Sequence, residues 1–294
     1  MFSILRSFDV QRLQLPEFCS MVDGCDTFSR FFQEKIDKLL VNLYRTTAVE
    51  PEPGKTPCFT ASIEVFELTT TAKISNILGI TSKACILDPL PTKQLSDNVE
   101  SMVPSITYVT NASLENTVMS VLLKHAIVRP LLKKQSLNKD ILSNYCTISN
   151  LSHLAKVIEK VVARKNYSHI SEQRMQDCFQ SAYRKNHSTE TALLCVTNAM
   201  KAAMCNRQGK ALVLIDFSAA FDTVNHNIMI GQLQFHYGFV GKALAWLQSY
   251  LEGRTQRVVI RDASSNTTRV TSGVPQGSVL GPLLFSLYVQ PLAR

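Results

Sequence analysis

Two carboxylates six residues apart, Asp216 and Asp222, follow a run of apolar residues, Ala211-Leu-Val-Leu-Ile215. A run that is apolar throughout predicts a strand buried on both faces, with Asp216 where it leaves the core. Ser218 to His226 then reads as a turn opening a short helix. A carboxylate at the mouth of a buried strand suits a hard cation such as Mg²⁺. Taken alone, it more simply suits a cap for the helix that follows. About fifty residues on comes Ser272-Gly273-Val-Pro275-Gln276-Gly277-Ser278-Val-Leu-Gly281-Pro282. Its glycines permit positive φ and a close backbone approach to a ligand, and Pro275 stiffens the turn. Gln276 offers both donor and acceptor. Either glycine alone would mark no more than an ordinary turn.

Taken together, Asp216-Phe-Ser-Ala-Ala-Phe221-Asp222 and Gly273-Val-Pro-Gln-Gly277-Ser-Val-Leu-Gly281-Pro282 resemble motifs A and B of reverse transcriptases from LINE-type retrotransposons, which lack long terminal repeats. The likeness reaches back through Gln180-Ser-Ala-Tyr-Arg-Lys-Asn-His-Ser-Thr-Glu-Thr191, Ile148-Ser-Asn-Leu151 and Asp88-Pro-Leu-Pro-Thr-Lys93. It implies an RNA-directed DNA polymerase acting on an RNA template, a DNA primer and deoxynucleoside triphosphates with two Mg²⁺ ions. Such phosphoryl chemistry needs positioned groups and neutralised charge more than covalent catalysis. On this resemblance Asp216 is the catalytic residue and a metal ligand, joined by the backbone carbonyl of Phe217. Phe217, Phe221, Gln276 and Gly277 would border the nucleotide, with Phe221 as the steric gate beneath the sugar; the plainer alternative is that Phe221 packs the palm core.

Two departures qualify the resemblance. The family's remaining metal carboxylates come from a Tyr-x-Asp-Asp turn, motif C, and this sequence contains none. Asn144-Tyr-Cys146-Thr-Ile-Ser149 stands where the family has Tyr-Arg-Pro-Ile-Ser. A cysteine cannot clamp phosphate oxygens bidentately as that arginine would. The expectation is a truncated reverse transcriptase domain, inactive alone. The alternative is a nucleic-acid-binding remnant without catalysis.

The elements that must hold these residues are legible from periodicity. The resemblance implies an α+β fold, right-hand polymerase fingers and a partial palm, with helices packed on a mixed or antiparallel sheet. Residues 1–60 read as a linker-like region with one amphipathic helix from Phe28 to Leu43, 61–205 as N-terminal extension and fingers, and 206–294 as partial palm. Glu64 to Leu78 predicts a helix, Asn98 to Met119 a helix pair about Pro104, and Lys124 to Leu132 a strand ending in Lys133 and Lys134. Leu151 to Tyr167 predicts a helix with Lys156, Lys160 and Arg164 recurring every four residues outside its apolar stripe. Ser188 to Asn206 predicts another, with Ala192, Leu193, Val196, Met200 and Ala203 facing a core. Gly241 to Leu251 reads as a short helix, and Thr255–Arg261 with Thr267–Ser272 as a hairpin. Pro282 fits only the first turn of a helix after the glycine loop.

Charge points to the partner. Between Lys124 and Arg174 stand ten Lys or Arg against three acids, a net of +7 in a chain of net +8. That concentration suits a polyanion, and Lys133, Lys134, Lys156, Lys160 and Arg164 are the candidate nucleic-acid contacts. Eight cysteines without any Cys-x-x-Cys pair predict reduced thiols in an intracellular protein, nuclear or cytoplasmic. No apolar run approaches membrane-spanning length, so no membrane partner is expected.

Overall fold

The computed structural model describes residues 15–46, 61–79, 87–88, 94 and 97–293. The linker around Glu50–Gly54 and most of the Asp88–Lys93 stretch lie outside them.

A mixed sheet forms one side of the molecule. Strand β1 (His125–Leu132) pairs antiparallel with β2 (Tyr145–Asn150), placing Val128 opposite Ser149. On its other edge β1 runs parallel to β3 (Arg254–Ile260), with Val128 opposite Val258. Two short strands, β4 (Ala263–Ser264) and β5 (Thr268–Val270), return antiparallel to β3. The predicted hairpin is thus present, its outgoing strand joined through β1 to the basic strand ahead of Lys133. The parallel pairing across residues far apart in sequence makes the sheet mixed.

Helix α1 (Met21–Thr46) covers one part of this sheet. It starts earlier than Phe28 because Cys25, Phe28 and Phe32 together bury against Val128, Tyr145, Val258 and Ile260. The Phe28 and Tyr145 rings meet edge-to-face at 4.9 Å. The remaining helices build a larger core. Helix α2 (Thr71–Leu78) is shorter than predicted, because residues before it serve another element. There Ile63 N donates to Gly238 O at 2.8 Å, Val240 N donates to Ile63 O at 3.1 Å, and Phe66 is buried. Helix α3 (Val99–Glu115) runs unbroken through Pro104 in its second turn, one helix where a pair was expected.

Helix α4 (His153–Glu172) is capped by Ser152, whose side chain accepts from Ala155 N, and by Asp88, which accepts from His153 N at 2.7 Å. Its apolar stripe is buried as read, including Leu151, Ala155, Ile158 and Val162. Helices α6 (His226–Tyr237) and α7 (Gly241–Leu251) pack on each other in the same core, and Trp246, Leu247 and Tyr250 of α7 are fully enclosed. Helix α8 (Gly281–Val289) starts with Pro282 in its first turn, as the sequence required.

Two expectations fail. Residues 208–217 form no strand, and Val213, Leu214 and Ile215 are 77%, 84% and 80% exposed. Helix α5 (Thr189–Cys205) forms with its Ser188–Thr191 capping box, yet Leu193, Val196 and Met200 face outward and only Ala203 is buried. The two elements are consecutive, and among the described residues nothing packs over either apolar face. An apolar run records that burial would be favourable; it does not supply the surface that buries it.

Candidate nucleotide and nucleic-acid site

The turn after Asp216 is built on a left-handed Ala219, φ 51°, whose carbonyl accepts from Asp222 N at 2.9 Å and Thr223 N at 3.2 Å. Asn225 then caps α6 by accepting from Ile228 N at 3.1 Å. This turn is stitched to the Ser272–Ser278 loop. Gly273 N donates to Val224 O and Val274 N to Phe221 O, both at 2.7 Å. Ser272 Oγ donates to Asp222 O at 2.9 Å. His226 Nε2 lies 2.7 Å from Gly273 O, which can only accept, so Nε2 carries the proton.

The glycines are forced, as the sequence indicated. Gly273 has φ +85°, and a Cβ there would stand 2.7 Å from the Asp222 backbone. Gly277 has φ +123°, and its Cβ would stand 2.5 Å from Ser149 O on β2. Ser149 N in turn donates to Gln276 O at 2.9 Å. The loop is therefore pinned to the turn at one end and to β2 in its middle. A cleft opens between them, bounded by Phe32 and Ile36 of α1, Thr147 and Ser149 of β2, Asp222 and the loop itself.

The candidate residues fall into three groups. Phe221 stacks on Phe285 of α8 at 4.9 Å, and Phe217 meets the same ring edge-on at 6.1 Å. Gln276 and Gly277 sit together at the contact with β2. Asp216 stands apart on the exposed segment before the turn, and among the described residues no three His, Cys, Asp or Glu side chains gather to hold a metal. The Asp222 carboxyl, which lines the cleft, is pushed by burial up to about 6.

Of the basic residues, Lys133 is exposed and its Nζ donates to Ser143 O at 2.9 Å, while the neighbouring Lys134 is exposed too. Lys156, Lys160 and Arg164 line one side of α4. Burial lowers the Lys160 pKa, and the Arg164 and Lys156 charges lower it further. The Lys160 ammonium thus feels both neighbouring cations of the same helix side. Cys146 lies half-buried on β2 with Sγ 3.4 Å from Leu131 O, its thiol pushed up by burial and pulled down by Lys133 and Lys35.

Sequence reasoning passed over Glu159, which is fully buried and accepts from the backbone of the α8 entrance. The signal was present: an acid four residues from Ala155 and three from Val162 lies on the apolar side of its own helix. The six described cysteines are free. No described helix is long and apolar enough to cross a membrane.

The chain thus combines a mixed α+β fold, a glycine loop pinned to an acidic turn and a helix with a basic side. Residues 132–294 match the family described as reverse transcriptase (RNA-dependent DNA polymerase), and the chain belongs to that family. It is 34% identical over 151 residues to the probable RNA-directed DNA polymerase from transposon BS of Drosophila melanogaster, and 35% over 147 residues to that from transposon X-element of the same species. It is 29% identical over 149 residues to the RNA-directed DNA polymerase from mobile element jockey of that species. These matches cover about half of this chain and 16% of each relative. The domain is a reverse transcriptase domain of the LINE type.

Proposed function

We propose that this chain supplies the primer–template and nucleotide cradle of an RNA-directed DNA polymerase, with fingers in residues 61–205, part of the palm in 206–294, and a linker-like region in 1–60. The observation that carries the reading is the pinning of the Gly273–Gly277 loop to both the Phe221–Val224 turn and Ser149 of β2. That arrangement preorganises Gln276 and Gly277 beside a base pair, and Phe221, fixed by Phe285, beneath a sugar. Lys133, Lys134, Lys156, Lys160 and Arg164 contribute sequence-blind attraction for backbone phosphates.

The family's Mg²⁺ chemistry asks for several carboxylates brought to one place. Asp216 and the Phe217 carbonyl are the positions assigned to it, but the described residues gather no three His, Cys, Asp or Glu side chains there and do not fit a two-metal site. What these residues do by themselves is bind, orient and exclude water. The same observation favours the second reading, a nucleic-acid-binding domain that carries out no synthesis.

Both readings are tested on one sample. Affinity for an RNA–DNA primer–template is measured by fluorescence anisotropy across a salt series. Replacing Lys156, Lys160 and Arg164 together by Gln is expected to flatten the slope of log affinity against log salt by up to about 3. An unchanged slope would return the stripe to an ordinary solvated face. Deoxynucleotide incorporation on the same primer with Mg²⁺ separates the readings. None is expected from this chain, and template-dependent incorporation lost in Asp216→Asn would establish the polymerase and refute the binding-only domain.

A further inference from the structure

We propose that Glu159 is a positioning residue that reaches from the middle of α4 to fix the exit of the Ser272–Ser278 loop, and with it Gln276 and Gly277. The inference rests on the reading of that loop as nucleotide-facing.

Helix α8 has no side-chain cap of its own at Leu280. The first N–H groups of a helix have no partner within it and must find one elsewhere. Here Glu159 Oε2 accepts from Val279 N at 2.6 Å and from Leu280 N at 3.1 Å. Ser278 Oγ takes Gly281 N at 3.0 Å and donates to Pro275 O at 2.8 Å. The cap of α8 is thus split between the loop's last residue and a carboxylate from a helix 120 residues away in sequence. A negative group at that end is also favoured by the helix dipole.

A fully buried carboxylate is an expensive way to fill a core. Desolvation raises the pKa of Glu159, and the Arg254 charge is the largest influence opposing it, ahead of the two backbone amides. Arg254 is itself buried, its Nη1 donating to Tyr250 O at 2.9 Å with the guanidinium 4.9 Å from the Tyr250 ring. An apolar side chain at 159 would avoid this cost but leave two N–H groups bare at the loop exit. The loop then has three anchors. The Phe221–Val224 turn holds its start, Ser149 its middle and Glu159 its end. The last two belong to the half of the chain assigned to fingers, so Glu159 ties the nucleotide-facing loop to that half.

Two conservative variants separate reach from charge. E159Q keeps the length and an acceptor oxygen but loses the charge. E159D keeps the charge but withdraws the oxygen by one methylene. Amide hydrogen exchange is followed at Val279 and Leu280, with α7 amides reporting global opening. E159D is expected to speed exchange at those two amides by about tenfold or more relative to α7, while E159Q stays within about threefold. Should one variant fail to fold, the other decides: near-parent protection in E159Q, or selective loosening in E159D, supports the role. Selective loosening in E159Q, unchanged amides in E159D, or loss shared equally with α7 overturns it. Primer–template affinity is read in parallel and should fall in E159D alone. A parent chain that binds no primer–template would refute the nucleic-acid reading, and the exchange result would still decide what Glu159 does.

Discussion

Burial in the cleft pushes the Asp222 carboxyl up to about 6, against a downward pull from Lys35. The folded protein therefore holds this proton more tightly than the unfolded chain, whose carboxyl titrates near the ordinary 3.8. The group is neutral in both states at low pH, so the charged form costs stability progressively as pH rises from about 4 to about 6, and the cost is constant above that. Asp222→Asn removes an ionisation the fold resists. The variant is expected to exceed the parent by about 1–3 kcal/mol at about pH 7.5 and to match it below about pH 4, read by urea unfolding at both. Equal stabilities at the higher pH would mean that water reaches the carboxylate freely. The sequence marked Asp222 as an acid near a turn but could not reveal its burial, because the enclosing residues come from α1, β2 and the distant glycine loop. Gly273 and Gly277 were legible, since a Gly-x-Pro-x-Gly run declares its backbone needs locally.

At the scale of elements, what was legible follows one rule. Helices α4 and α7 were read from their stripes because each lies against several neighbours, and the stripe is a record of them. Helix α8 was read from Pro282 and the apolar run after the glycine loop. The start of α1 was missed by seven residues, because Cys25 and Phe28 gain their partners from β1, β2 and β3, none of which is near in sequence. That packing carries a test. Phe28 is fully buried, 4.9 Å from the Tyr145 ring and 5.7 Å from Phe32. Phe28→Ala should cost about 3–5 kcal/mol and release α1 from the sheet before the larger core opens. Limited proteolysis should then cut first within α1, while amides of α4 and α7 stay protected. Simultaneous loss of protection in α1 and α7 would show that the two cores unfold as one.

For the whole molecule, charge and apolar surface are segregated, and salt acts on them in opposite directions. The proposed affinity for phosphates rests on the net +7 between Lys124 and Arg174, and salt weakens an affinity of that kind. The Ala211–Ile215 run and the outer face of α5 contain few charges and expose Leu193, Leu194, Val213, Leu214 and Ile215. An uncharged apolar run left exposed outside any helix or strand can serve as a template for another strand, and an identical segment pairs with it antiparallel without mismatch. The strand predicted from this run is therefore expected to form between two copies of the chain. Sedimentation at micromolar concentration should show concentration-dependent association that strengthens with salt, as repulsion between two chains of net +8 is screened. Val213→Lys with Leu214→Lys places a charge on each face of the extended run and should return the protein to monomer at every salt concentration. The same pair should leave the salt slope of primer–template binding unchanged, because the basic stripe on α4 is untouched. A parent chain that remains monomeric across the series, or a double variant that associates as before, would show that these apolar residues do not meet in solution.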